Sequence, residues 1–260
     1  MSFFLSEYKA LLCTAEKSGR IPCGVLEFFE AGQHDKSGPK LVLRHDVDRL
    51  ADRAVSMAEL EKAAGVSSTY YFRCTRDGRF PTRQIELIAK LGHETGYHYE
   101  CLSAMKGDRG LAFSAFERNL SNIRQIAPCR TVAMHGAPLS RYHNQELLVG
   151  RDLGEFDLEA DASLSFATIE LAYFTDTGGR WNASAAENFR DRVGVSHGWS
   201  PPPSANEFPT WLRSYRKPVY ISTHPERWNS SPGKYALALS KDIAISRVKR
   251  AIKLFRSVST

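Results

Sequence analysis

The 260-residue chain lacks any apolar run near the ~20 residues that span a bilayer. Its opening, MSFFLSEYKALLCTAEKSGR, has no basic leader, and Glu7 and Lys9 break the early apolar stretch, so no secretory signal is expected. Cysteine is sparse: Cys13, Cys23, Cys74, Cys101 and Cys129 are odd in number and never in CxxC spacing. That argues against a disulfide framework and a thiolate zinc site, and favours reduced thiols in a cytoplasmic setting. Internal repeats, a dividing linker and nucleic-acid-binding motifs are also absent. What is present, 42% hydrophobic and 25% charged residues, suits one globular domain spanning 1–260. The net charge of +6 includes a basic terminal stretch, DIAISRVKRAIKLFR. It reads as the solvated face of a closing helix; attraction to an anionic substrate or a peripheral membrane surface is the sharper alternative.

Strand alternates with helix along the chain. Residues 1–38 read as a helical extension, with Phe3, Phe4, Tyr8, Leu11 and Leu12 on one face of a short helix. The apolar run 41–43 is a strand, and Asp48 or a neighbour is a candidate cap for a helix through Ala64 that stops at Gly65. STYYFR (68–73) is a second strand, a helix follows Pro81 to Leu91, and HETGYHYE (93–100) is a third strand. A helix over about 110–126 leads to strand TVAM (131–134). Short strands are expected near 163–168 and 170–175, then a loop over 200–209, a short helix and strand PVYISTH (218–224). Such alternation implies a parallel sheet or barrel, whose reactive groups gather at the carboxyl ends of the strands.

Those ends are crowded with ionisable groups. The first carries Arg44, His45, Asp46 and Asp48, the third His98 and Glu100, the fourth His135 and the last His224. One such residue is ordinarily structural; four strand ends together indicate a shared site. Imidazole with carboxylate suits a divalent ion, zinc above all. Two residues apart on an extended backbone, Asp46 and Asp48 point to one side, so one can hold the ion while the other takes a proton from water.

The order RHDVD, GVSSTYYFR, ELIAKLGHETGYHYE, VAMHG and YISTH resembles the NodB-like polysaccharide deacetylases, with Gly92, His93, Glu94, Gly96 and His98 the most specific match. The similarity is strongest over 41–100. It is closest to a divergent HDVD-bearing branch associated with bacterial surface-polysaccharide biosynthesis. The resemblance implies a deformed (β/α)7 barrel and metal-dependent removal of an acetyl or other acyl group from a sugar or glycoconjugate, here a nucleotide- or lipid-linked precursor inside the cell. It implies Asp46 as catalytic base, Asp48 and His98 as metal ligands and His224 as the acid that protonates the leaving amine. The chain departs from the family in three places. Val47 separates the two aspartates, Leu102 stands where a second histidine ligand belongs, and AMHGAP replaces an arginine-proline motif. His135 is the expected third ligand, Glu100 its competitor, and His45 a further ligand or orienting partner. An inactive carbohydrate-binding relative and an amidohydrolase of small non-sugar amides are the alternatives.

Asp176-Thr177-Gly178 matches an aspartic-protease signature in isolation, but a single copy in an α/β chain does not make such a site. Asp176, Arg180, Trp181, Arg227 and Trp228 are instead candidates for lining the site or touching a sugar or phosphate. His93 and Glu94 read as structural, and His34, His143 and His197 carry no functional context.

Overall fold

The computed structural model describes residues 3–32, 38–137, 139–176, 193–195 and 207–229. Its strands are β1 Ile21–Cys23, β2 Lys40–Val47, β3 Thr69–Phe72, β4 Glu94–Tyr99, β5 Thr131–Met134, β6 Ala160–Asp161, β7 Ala172–Thr175 and β8 Val219–Thr223. Helices α1 Leu5–Lys17, α2 Val25–Ala31, α3 Ala51–Ala63, α4 Thr82–Lys90, α5 Cys101–Ala104, α6 Arg109–Arg124 and α7 Phe208–Ser214 connect or precede them. Seven strands run in the order β6-β5-β4-β3-β2-β8-β7, with β1 added alongside β2. Every pairing between these strands is parallel.

The sheet is curled. Four strands separate β6 from β8, about 24 Å in a flat sheet. Yet Tyr220 of β8 donates its hydroxyl to the Ala162 carbonyl just beyond β6, at 2.9 Å. This is a parallel sheet curled into a half-barrel, as the strand-helix alternation implies, and it agrees with the deformed (β/α)7 barrel that the motif resemblance implies. Side-chain alternation sorts the core. Val42, Tyr71, Ala133, Ala160 and Tyr220 meet inside the curl, while Leu41, Leu43, Val219 and Ile221 face outward onto α1 and α3 through Leu11, Leu12 and Met57. Tyr70, Phe72, Tyr97 and Val132 cover Ile85, Ile88, Phe116 and Ile123 of α4 and α6. Each of the Val, Leu, Ile, Phe and Met side chains among them contributes about 1.5–3 kcal/mol on burial. Gly96 is required inside the curl. A Cβ there would stand 2.4 Å from the Tyr71 ring and 2.8 Å from the Thr131 carbonyl oxygen.

Three local expectations are corrected. Residues 1–38 are not simply helical, because β1 pairs with β2 through Ile21↔Lys40; a three-residue strand carries too few positions for a period to show. Arg20 anchors that segment by donating to the carbonyls of Leu212, Lys40, Lys217 and Tyr215. The strand expected near 163–168 is a single 3-10 turn at Leu164–Phe166, preceded by β6. Asp161 bends the chain there, its carboxylate accepting from the amides of Ser163 and Leu164. Finally, Asp48 does not cap α3. That helix begins behind Leu50, whose φ of 51° is left-handed, with no capping side-chain hydrogen bond. The strand near 170–175 is β7; the expected closing helix lies outside the described residues.

Outside the sheet, α3 contributes Glu61 to a fully buried polar knot. Its oxygens accept from Tyr8 Oη at 2.5 Å, Tyr70 Oη and Ser68 Oγ at 2.6 Å and His45 Nε2 at 2.8 Å. Burial opposes its ionisation, but His45, His93 and Ser68 hold the carboxyl down at about 2. Glu61→Ala strips four donors of their acceptor, and unfolding by urea at pH 7 should show a loss of ~3 kcal/mol or more. The group titrates near 2 when folded, against 4.5 as its ordinary value. Its contribution is therefore complete above pH 4.5 and lost as pH falls toward 2, so the gap between wild type and variant should narrow across that window.

Candidate active site

The carboxyl ends of the strands form the mouth of the curl. Asp46 and Asp48 come from β2 and the residue after it, His98 from β4, His135 from just past β5, and His224 from just past β8. Two imidazoles are aimed by their outer nitrogens. His98 Nδ1–H donates to the Ala133 carbonyl at 3.0 Å, leaving Nε2 3.6 Å from Asp48 Oδ1 and 3.8 Å from Asp46 Oδ2. His135 Nδ1–H donates to Glu100 Oε2 at 2.9 Å, leaving Nε2 3.7 Å from Asp48 Oδ2. Glu100 is itself gripped by Arg73 at 2.6 Å, so it orients His135 and is not left over as a ligand. Hydrogen bonds of this kind fix the tautomer and present the opposite nitrogen as a lone pair.

Ligand atoms on a tetrahedral zinc ion, ~2.1 Å from it, stand ~3.4 Å apart. The His98–Asp48 and His135–Asp48 separations are a few tenths of an ångström wider. Among the described residues no three His, Cys, Asp or Glu side chains already close around one point. The donor chemistry nevertheless fits a divalent ion, because Asp48 Oδ1 is buried with no hydrogen-bond partner, 3.6 Å from His98 Nε2 and 3.8 Å from Arg73 Nη1, while its Oδ2 stands 3.7 Å from His135 Nε2. Burial outweighs the pull of Asp46 and Asp48 on His98 and pushes its imidazole down to about 4, so Nε2 carries a free lone pair at neutral pH. Asp48 is partly buried, which opposes its charge, yet His135, His98 and His224 hold its carboxyl well below the usual range.

Asp46 has a different environment. Arg44, two residues earlier on the same face, clamps it with Nε on Oδ1 at 2.7 Å and Nη2 on Oδ2 at 2.9 Å. Arg44 also lies over the Tyr71 ring at 5.7 Å, inside the curl. Burial raises the cost of charge on Asp46, but Arg44 first, then His98 and His224, keep it ionised. Opposite it, His224 Nδ1–H donates to Asp176 Oδ1 at 2.7 Å. Asp176 also accepts from the His224 amide at 2.9 Å, Trp228 Nε1 at 2.9 Å and Arg227 Nη1 at 3.1 Å. Against burial and the Arg227 charge, Asp176 and Asp48 push His224 up to about 9, so it is cationic at neutral pH. The mouth thus pairs an ionised carboxylate with a protonated imidazole.

Several candidates fall elsewhere. His45 is neither ligand nor orienting partner; the pleat turns it away from Asp46, and it joins Glu61 and Thr223 on the outer face at 2.8 and 2.7 Å. Trp228 is buried beneath Phe3 and Tyr8, with ring centroids 5.2 Å from each, so it offers no face to a sugar and acts through Asp176. Arg227 likewise serves Asp176. Arg180, Trp181, His34 and His197 lie outside the described residues. His93 is structural, with Nε2 on the Ala58 carbonyl at 2.9 Å, and Glu94 sits at the far end of β4 with Thr69, Thr131 and the first turn of α2. Sequence reasoning missed Arg73, which the strand-end rule applied to 68–73 finds.

No family model and no curated protein matches the chain. Among solved structures it is similar to a CE4 family pseudoenzyme from Bacillus anthracis, at 12% identity and a TM-score of 0.39, over 78% of this chain and 60% of that one. A mutant of that pseudoenzyme with restored enzymatic activity gives 11% identity and a TM-score of 0.38, over 79% and 63%. The chain therefore spans less than two thirds of the length of either. Identities this low bear on fold alone, and with TM-scores below one half the architecture rests on this chain's own strand order. No described helix is long and apolar enough to cross a membrane.

Removing the charge on Asp176 tests the electrostatic reading of the mouth. In metal-free Asp176→Asn, the His224 imidazole should titrate well below the wild-type value of about 9, toward 6.5, in an NMR pH titration.

Proposed function

We propose that the chain is a metal-dependent hydrolase that removes an acetyl or related N-acyl group from a sugar or glycoconjugate precursor. The observation that carries this reading is the arrangement of Asp48, His98 Nε2 and His135 Nε2 between an ionised carboxylate and a cationic imidazole. Asp48, His98 and His135 would hold a divalent ion, zinc by the preference of imidazole and carboxylate donors. When bound, such an ion supplies Lewis acidity and makes water a stronger acid.

The protein's own groups supply the proton transfers. Asp46, kept ionised and rotationally fixed by Arg44, accepts the proton of the attacking water. His224, cationic and held by Asp176, donates a proton to the departing nitrogen as the carbon–nitrogen bond breaks, so the amine leaves neutral. Arg73 and Glu100 keep His135 in place through a chain of two hydrogen bonds. The motif resemblance supports a carbohydrate substrate, nucleotide- or lipid-linked, in surface-polysaccharide biosynthesis. All five cysteines are free thiols, which favours a reducing, cytoplasmic setting.

Metal analysis of the purified protein, chelation, and a screen of N-acetylated sugars against simple amides test the reading together. Zinc-dependent release of acetate from a sugar is the expected result. A protein that neither contains nor takes up metal would instead be a silent carbohydrate binder, and hydrolysis confined to simple amides would remove the sugar. Asp46→Asn should lower kcat by ~10²–10⁴-fold with metal content unchanged. Glu100→Gln should weaken zinc binding by ~10–100-fold in competition with a chelating dye.

A further inference from the structure

Trp228 connects the cationic imidazole of the mouth to the opposite end of the chain. Its indole Nε1–H donates to Asp176 Oδ2 at 2.9 Å, the oxygen that also accepts from the His224 amide at 2.9 Å. With Oδ2 held by those two donors, Oδ1 is aimed at His224 Nδ1, 2.7 Å away, where Arg227 Nη1 joins it at 3.1 Å. What holds the indole is therefore part of what holds His224.

Two rings from the N-terminal segment pack on that indole. Phe3 and Tyr8 each meet it edge-on, with centroids 5.2 Å away and planes at 66°, a favourable aromatic geometry. Backbone pairing fixes their approach. The Asn229 amide donates to the Phe3 carbonyl at 2.8 Å, and the Leu5 amide donates to the Asn229 carbonyl at 3.1 Å. Arg53 of α3 holds the same segment by donating to Asn229 Oδ1 at 2.8 Å. Tyr8 has a second duty, because its hydroxyl donates to Glu61. Phe3 is a buried hydrocarbon ring, so what it brings to the indole is contact and the exclusion of water.

We propose that Phe3 is a positioning residue for His224, acting through the Trp228 indole and the Asp176 carboxylate. This rests on the assignment of His224 as proton donor made above. Truncating Phe3 opens space beside the indole, loosens its grip on Asp176 and admits water. Water weakens both effects on His224: the burial that disfavours its charge and the attraction of Asp176 that favours it. Attraction wins in the intact protein, so weakening both moves the imidazole down toward its ordinary value. The other charges that act on this ring, Asp46, Asp48, Glu226 and Arg227, are unaltered by the substitution.

The test reads the His224 imidazole by NMR pH titration of the metal-free, full-length protein, with zinc uptake and thermal unfolding alongside. Phe3→Ala should lower its midpoint at least ~1 pH unit below the wild-type value of about 9, with zinc uptake unchanged. Phe3→Leu, which refills most of the space, should restore it. Trp228→Phe keeps a ring but removes the donor to Asp176, and should lower the midpoint as well. Tyr8→Phe keeps its ring on the indole but loses the bond to Glu61, so Tm should fall while the midpoint stays. In turnover, the alkaline limb of the kcat profile, set by loss of the His224 proton, should move to lower pH in Phe3→Ala. A lower Tm in Phe3→Ala with the midpoint unmoved, or with zinc uptake lost, makes Phe3 a general packing residue and overturns the proposal. An unmoved midpoint in Trp228→Phe overturns it too. Phe3→Val takes the place of Phe3→Ala if that variant does not fold. Absence of deacetylation removes the reaction proposed above, whereas the titration decides the Phe3 link by itself.

Discussion

The pleat of one strand divides RHDVD between two environments, and the site depends on that division. In β2, Arg44 and Asp46 turn into the curl while His45 and Val47 turn out, because successive side chains of an extended chain face opposite ways. Asp48 continues the inner row. The inner residues make the buried ion pair and the carboxylate that faces His98 and His135; the outer histidine completes the Glu61 knot that fastens α1 and α3 to the sheet. A register slip of one residue would exchange the two sets.

Around this strand the imidazoles are governed by what their far nitrogens touch. His98 leans on a backbone carbonyl of the neighbouring strand, His135 on Glu100, and His224 on Asp176. A neutral acceptor beside a buried ring leaves His98 uncharged, whereas a buried carboxylate keeps His224 cationic. Residues of one type thus take opposite roles. His135 reaches Asp48 from across the β4–β5 pairing, and Arg44 clamps Asp46 from within its own strand.

Much of this was legible beforehand. Alternation of apolar runs with helical periods announced a parallel sheet, and the rule that reactive groups collect at strand ends picked out Asp46, Asp48, His98, Glu100, His135 and His224. The expectation that His45 belongs to the site failed because adjacency in sequence is separation across a pleat. Trp228 looked like an exposed aromatic beside basic residues, but packing of Phe3 and Tyr8 from the opposite end of the chain covers it.

By itself the sequence determined the strand-helix order, the side of each strand on which a residue lies, and the residue chemistry available at each strand end. Those follow from local periodicity and backbone sterics. Only the tertiary structure decided which strand ends meet and which guanidinium serves each carboxylate, Arg44 for Asp46, Arg73 for Glu100 and Arg227 for Asp176. Those depend on the curl of the sheet, which brings residues distant in sequence within hydrogen-bonding reach and excludes the water that would otherwise mask their differences.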